Sequence, residues 1–146
     1  MSLRKLVLRA NAVWLGGAGL MALFTFDIAG IFFGKGPLAT LGAHVPQAGI
    51  GFMEAHGLAI IIAVLMWRAA TAPTRDWHLA GAAVHVLLGT CNLIFWDLFV
   101  STGTLVAGYV TTALHWVFVV LQLLAASGFL GRTDARRAIS GGAAGV

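Results

Sequence analysis

The amino-acid sequence predicts an all-α, polytopic membrane protein: four transmembrane helices in an antiparallel bundle, with both termini cytoplasmic. Three observations carry that expectation. First, 60% of the 146 residues are hydrophobic and only 10% are charged, too apolar for a water-soluble domain and too short for more than one folded unit. Second, four apolar stretches reach the ~18 residues that read as membrane spans: about 11–33, 50–69, 77–100 and 104–130. Third, the cations are segregated. Arg4, Lys5 and Arg9 precede the first span, Arg68 and Arg75 lie between the second and third, and Arg132, Arg136 and Arg137 follow the fourth. Only Lys35 lies in the loop after the first span. If the spans alternate in direction, eight of the nine cations share one side, which the positive-inside rule makes cytoplasmic. The net charge of +4 thus reports topology and not a nucleic-acid partner.

Taken in order, span one begins after a basic start, as a signal peptide does, but its run is long enough to span and the charge pattern needs it in place. It is rich in small residues: Gly16, Gly17 and Gly19 allow close helix approach, and Gly30 and Gly34 have the small-xxx-small spacing. The following loop, GKGPLATLGAHVPQAG, is interrupted by Pro37, Pro46 and several glycines and is expected to lie outside, on the membrane surface. The short inner loop RAATAPTRDWH makes spans two and three a hairpin, and the shorter outer turn STGT does the same for spans three and four. Residues 1–131 form one transmembrane domain on this reading, and 132–146 are a basic, flexible cytoplasmic tail. Trp14, Trp67 and Trp77 fall near the inner interface and Tyr109 near the outer, where aromatic rings prefer to sit. The single cysteine, Cys91, excludes an intramolecular disulfide or CxxC centre, and GIFFGKG lacks the spacing of a phosphate loop.

The chemistry, if any, has to reside in the polar groups within the spans. Asp27, Glu54, His56, His85, Asn92, Asp97, His115 and Gln122 lie there, although a charge at bilayer depth costs roughly 2.5–3.5 kcal/mol on insertion scales. At ~1.5 Å per residue, Asp27, Glu54, His56 and Asp97 all fall within about 10 Å of the outer surface, with His115 slightly deeper and His85 in the inner half. One layer thereby draws acids or imidazoles from every span. Glu54 and His56, about 200° apart on a helix, face opposite ways. Glu54 in its first helical turn suits an interfacial anion. Asp97 at the C-terminal end of span three opposes the helix dipole and needs a partner such as Lys35 or a histidine. His85, Asn92 and Trp96 share a face of span three, and Gly108, His115 and Gln122 share one of span four. The two stripes are expected to meet, either as interhelical hydrogen bonding or as a site.

The expected pocket is lined by Asp27, His56, Asn92, Asp97 and His115, with Glu54 at its rim and Gln122 deeper. Trp96, Trp116 and Phe95 provide an aromatic wall. Asp97, His115, Asp27 and His56 are the catalytic candidates, since carboxylates and imidazoles in a low-dielectric layer suit proton transfer. The expected ligand is a lipophilic small molecule, such as a quinone, an isoprenoid or a sterol-like ring, undergoing acid–base or redox-linked chemistry. Two alternatives stand beside this. The chain could be a non-enzymatic accessory subunit of a larger membrane complex, or a homo-oligomer, with its polar groups as glue. Or His56 and His115 could ligate a metal or haem, though no helix carries two ligands at HxxxH or ExxH spacing and glycine-rich packing leaves little room for a macrocycle. Inverted repeats and broken helices, expected of transporters, are not evident.

The layout of a basic start, a glycine-rich first span, a Pro-containing outer loop (GPLATLGAHVP) and three closely connected spans resembles that of the small bacterial DoxX-like membrane proteins. The resemblance covers the four spans and rests on no sharp motif, so no catalytic residue is carried over. It implies a bacterial-type inner membrane and a respiratory or quinone-linked setting, and favours a lipophilic ligand.

Overall fold

The structure is a computed structural model and describes residues 2–128. The tail expected at 132–146, with Arg132, Arg136 and Arg137, lies outside the described residues. Four helices are long and apolar enough to cross a membrane: Leu3–Phe32, Ala48–Ala69, Arg75–Ile94 and Leu105–Ala126. No strand occurs among the described residues. The chain is a small multi-pass membrane protein in layout.

The first span starts earlier than its hydropathy suggests. Helix α1 runs Leu3–Ala22, carrying Arg4, Lys5 and Arg9 in its opening turns, and the Ser2 side chain caps it by accepting from the Lys5 N–H. It then widens without a break into a π-helical segment, π1, Leu23–Phe32. The Thr25 hydroxyl donates to the Met21 carbonyl at 2.8 Å at this transition, competing for a backbone acceptor that an α-turn would use. The outer loop is not simply laid on a surface. It folds a short helix α2, Ala39–His44, against π1. Gly30 and Leu38 touch so closely that a Cβ on Gly30 would meet Leu38 Cβ at 2.9 Å.

Helix α3 is Ala48–Ala69 and α4 is Arg75–Ile94, the latter capped by Thr74 and bearing Asp76 in its first turn. The third span stops at Ile94, short of the expected residue 100. The chain turns at Phe95 and resumes as a six-residue helix α5, Trp96–Ser101. Gly108 explains where α5 rests, because the Phe99 ring occupies the space a Cβ would fill, 2.7 Å away. Gly103, at φ +67°, makes the tight turn that side chains with a Cβ resist. Helix α6, Leu105–Ala126, completes the chain.

The helices associate as two pairs. Along α1 and α3, Gly16 faces Ala63, Gly19 faces Ile60 and Asp27 meets His56. Along α4 and α6, His78 meets Gln122, His85 meets His115 and Asn92 meets Thr111. Partner numbers rise on one helix as they fall on the other. Contacts between the two pairs are sparse. Buried side chains gather toward the end where α1 begins and α6 ends: Leu8, Leu15, Met66, Phe118 and Ala125. The opposite half buries mainly small or polar residues, Asp27, Gly30, Gly49, Gly108 and Thr112, with Leu38 as its large apolar side chain, so the pairs close at one end and part at the other.

The α1/α3 seam depends on Gly19, where an added Cβ would meet the His56 carbonyl at 3.1 Å and Ile60 and Ala59 at 3.2 and 3.3 Å. Gly19→Leu is expected to force the two helices apart and destabilise the protein by about 1–3 kcal/mol, read as a lowered thermal unfolding midpoint in detergent; an unchanged midpoint would mean that the seam is not tight there.

Candidate functional site

Where the helix pairs part there is a cavity of about 230 Å³, open on one side. Ligand sites of drug-like size run ~300–1,000 Å³, and this cavity is smaller. Its walls are mostly apolar: Leu15, Ala18, Ala59, Leu88 and Ala107, with Trp14, Phe26, Phe52 and Phe99 as the aromatic members. The polar lining consists of His56, Asn92, Thr102, Thr104, Thr111 and His115.

His56 enters from α3, and its Nδ1 lies 2.6 Å from Asp27 Oδ2. Asp27 is fully buried, while the His56 side chain is 27% exposed. The wide turns of π1 bring Asp27 inward behind the imidazole. A buried carboxylate on Nδ1 fixes the ring orientation and leaves Nε2 for whatever occupies the cavity. Asp27 Oδ1 is buried without a hydrogen-bond partner, which ties the carboxylate's stability to His56.

The opposite wall is set by a second arrangement. Asn11 Oδ1 lies 2.7 Å from His85 Nε2, and His85 Nδ1 lies 2.9 Å from His115 Nδ1. Asn11 and His85 are fully buried. Phe118 stacks on His85 with ring centroids 5.0 Å apart, fixing the plane of the middle ring. The chain thus begins on α1, crosses α4 and ends on α6 with His115 at the cavity wall. Asn92 supports the same wall by donating to the hydroxyls of Thr111 and Thr112, each at 3.1 Å. Further toward the N-terminal end, His78 Nδ1 donates to Gln122 Oε1 at 2.5 Å, closed off from the cavity.

Several expected site residues lie elsewhere. Asp97 is exposed and sits in the first turn of α5, not at the C-terminal end of a long helix, because α4 ends before it. Glu54 is exposed and away from the cavity lining. Trp96 packs on Phe99 and Tyr109, with centroids 5.5 and 4.8 Å apart, behind the wall. Trp116 covers Gly89 on the surface of the α4/α6 pair, and Phe95 is exposed. Gln122 pairs with His78, two helical turns from His115. Asp27, His56, Asn92 and His115 are the expected residues that the fold brings around one space. Asn11 and His78 are polar partners that the depth argument does not single out. His78 continues the seven-residue step from Asn92 through His85 and is legible in that pattern; Asn11, at the start of the apolar run, carries no such spacing. Among the described residues, no three His, Cys, Asp or Glu side chains converge as metal ligands.

Comparison with protein-family models, curated proteins and solved structures finds no match for this chain.

Asn11 Oδ1 and His85 Nε2 are each other's hydrogen-bond partners in a fully buried site, so removing one orphans the other. Asn11→Leu and His85→Phe are each expected to destabilise by about 1–3 kcal/mol, while the double variant loses clearly less than their sum. Denaturant unfolding of the four proteins measures this coupling; strictly additive losses would show that the bond does not tie the helices together.

Proposed function

We propose that the cavity between the helix pairs binds a lipophilic small molecule and that His56, backed by Asp27, together with His115, handles protons on it. The observation that supports this reading is the placement of two imidazoles on different helix pairs around one apolar cavity, each with its Nδ1 already committed to a buried partner. Such a site prefers a ligand that is mainly apolar and presents a small number of polar atoms. The candidate classes are a quinone, an isoprenoid or a sterol-like ring. Proton exchange at His56 or His115 is the step this chain's residues can supply, either as acid–base turnover or as the proton partner of a redox change in the ligand.

The setting we propose is a bacterial-type inner membrane, with the four long helices as an antiparallel bundle and both termini cytoplasmic. The segregation of the cations supports that orientation. The overall layout supports kinship with the DoxX-like proteins, where a lipophilic ligand would be at home.

The test is native purification followed by mass spectrometry of what accompanies the protein. Wild type is expected to carry a lipophilic molecule in stoichiometric amount. Ala107→Phe, which fills a cavity wall and leaves the Asp27–His56 pair intact, is expected to lose it while remaining folded in the membrane. Recovery of larger subunits and no small molecule from wild type would sink the proposal and make the protein an accessory subunit.

A further inference from the structure

The cavity's two imidazoles are not equivalent, and the difference identifies the class of molecule it selects. The first pole is the Asp27–His56 pair. Asp27 is 0% exposed, its Oδ1 has no partner and Lys35 stands exposed in the loop. An uncompensated charge in such surroundings is costly, so the stable form of the pair is neutral overall. A neutral pair holds two hydrogens. One lies between Asp27 Oδ2 and His56 Nδ1, at 2.6 Å. On Asp27 Oδ1 the other would be buried with no acceptor, so it is on His56 Nε2, whichever partner keeps the shared one. His56 therefore meets the cavity as a hydrogen-bond donor.

The second pole follows from hydrogen-bond direction. The Asn11 carbonyl oxygen faces His85 and accepts from its Nε2–H. A neutral His85 then has a bare Nδ1, which accepts from His115 Nδ1–H. A neutral His115 in turn has a bare Nε2. That nitrogen has no protein partner among the described residues and is not sealed from the cavity that His115 lines. His115 therefore meets the cavity as an acceptor. The orientation of one amide, Asn11 on α1, sets this polarity at a distance through two rings.

We infer that the cavity selects a lipophilic hydroxy-carbonyl compound: a carbonyl-type oxygen taken by His56 Nε2–H, a hydroxyl given to His115 Nε2, and an apolar body between them. This rests on the reading of the cavity as a ligand site and narrows it. A fully oxidised ring with acceptors at both ends would leave His115 facing an acceptor with a lone pair. A diol would satisfy His115, and its second oxygen could accept from His56 Nε2–H, but the hydrogen of that second hydroxyl would face the apolar walls without an acceptor. The buried polar groups at each pole are what make the mismatch costly.

Two measurements test the assignment. In protein labelled with ¹⁵N-histidine and held in nanodiscs, spectra that report which ring nitrogens bear hydrogen are expected to show His56 Nε2 protonated and His115 Nε2 bare. If the Asn11 amide were turned round, the chain would reverse, and a protonated His115 Nε2 would overturn the assignment. The second measurement is titration calorimetry with three probes of one shape: 4-hydroxybenzophenone, its methyl ether, which lacks the donor, and 4-benzylphenol, which lacks the carbonyl. The first is expected to bind about tenfold more tightly than either control. His115→Phe should erase the preference over the ether, and His56→Phe the preference over the benzylphenol. Equal binding of all three to wild type, blocked by Ala107→Phe, overturns this inference while the cavity stands as a ligand site. No binding of any probe to wild type counts against the ligand site itself, and the inference falls with it.

Discussion

The rest of the architecture turns on the hydrogen-bonded chain from Asn11 through His85 to His115. It is a polar link that ties α1 to the α4/α6 pair in a protein whose helix pairs otherwise touch little. In a bilayer, apolar side chains gain little from leaving lipid for one another, so helix association relies on close packing and on polar groups that have no better partner. Glycine and alanine provide the packing within each pair. The Asn11–His85–His115 chain provides a specific junction between pairs. It lies near the middle of the helices, so the pairs are fastened on one side of it and free to separate on the other.

The cavity is the consequence of that placement. Toward the N-terminal end, Leu8, Met66, Phe118 and the His78–Gln122 pair fill the space. Beyond His115, small residues such as Ala18, Ala59 and Ala107 leave it open. The widening of the first span into π1 contributes on the other wall. It carries Asp27 behind His56 and lets α2 press Leu38 onto Gly30. One junction thus has two roles: it holds the pairs together and delivers an oriented imidazole to the hollow it creates.

The polar groups legible as candidates divided according to helix geometry. Opposite facing of Glu54 and His56 follows from their spacing on a regular helix, and in the structure Glu54 is exposed while His56 turns toward Asp27. The seven-residue rhythm of His85 and Asn92 against His115 likewise anticipated a polar seam. Asp97 escaped the same reasoning because its helix ends at Ile94 without a proline or glycine to announce the break. Past the break Phe99 seats on Gly108, a contact between segments nine residues apart. Trp96 and Trp116 have the depth of the cavity but not its direction: Trp96 packs on Phe99 and Tyr109, and Trp116 covers Gly89. The rings that line the cavity, Trp14, Phe26, Phe52 and Phe99, look in sequence like any other apolar residues of a span.

What the sequence by itself determined is what lipid exacts from any chain: four apolar stretches long enough to cross, and a set of ionisable groups too costly to leave facing hydrocarbon. These are properties of single segments, and composition and length suffice for them. The tertiary structure decided which of those groups find one another. Asp27 meets His56 across 29 positions, and Asn11 meets His85 across 74. Such pairings depend on helix rotation, on a local change from α to π winding and on where small residues let backbones approach. Each of these is set by contacts between segments, and so no one segment carries it alone.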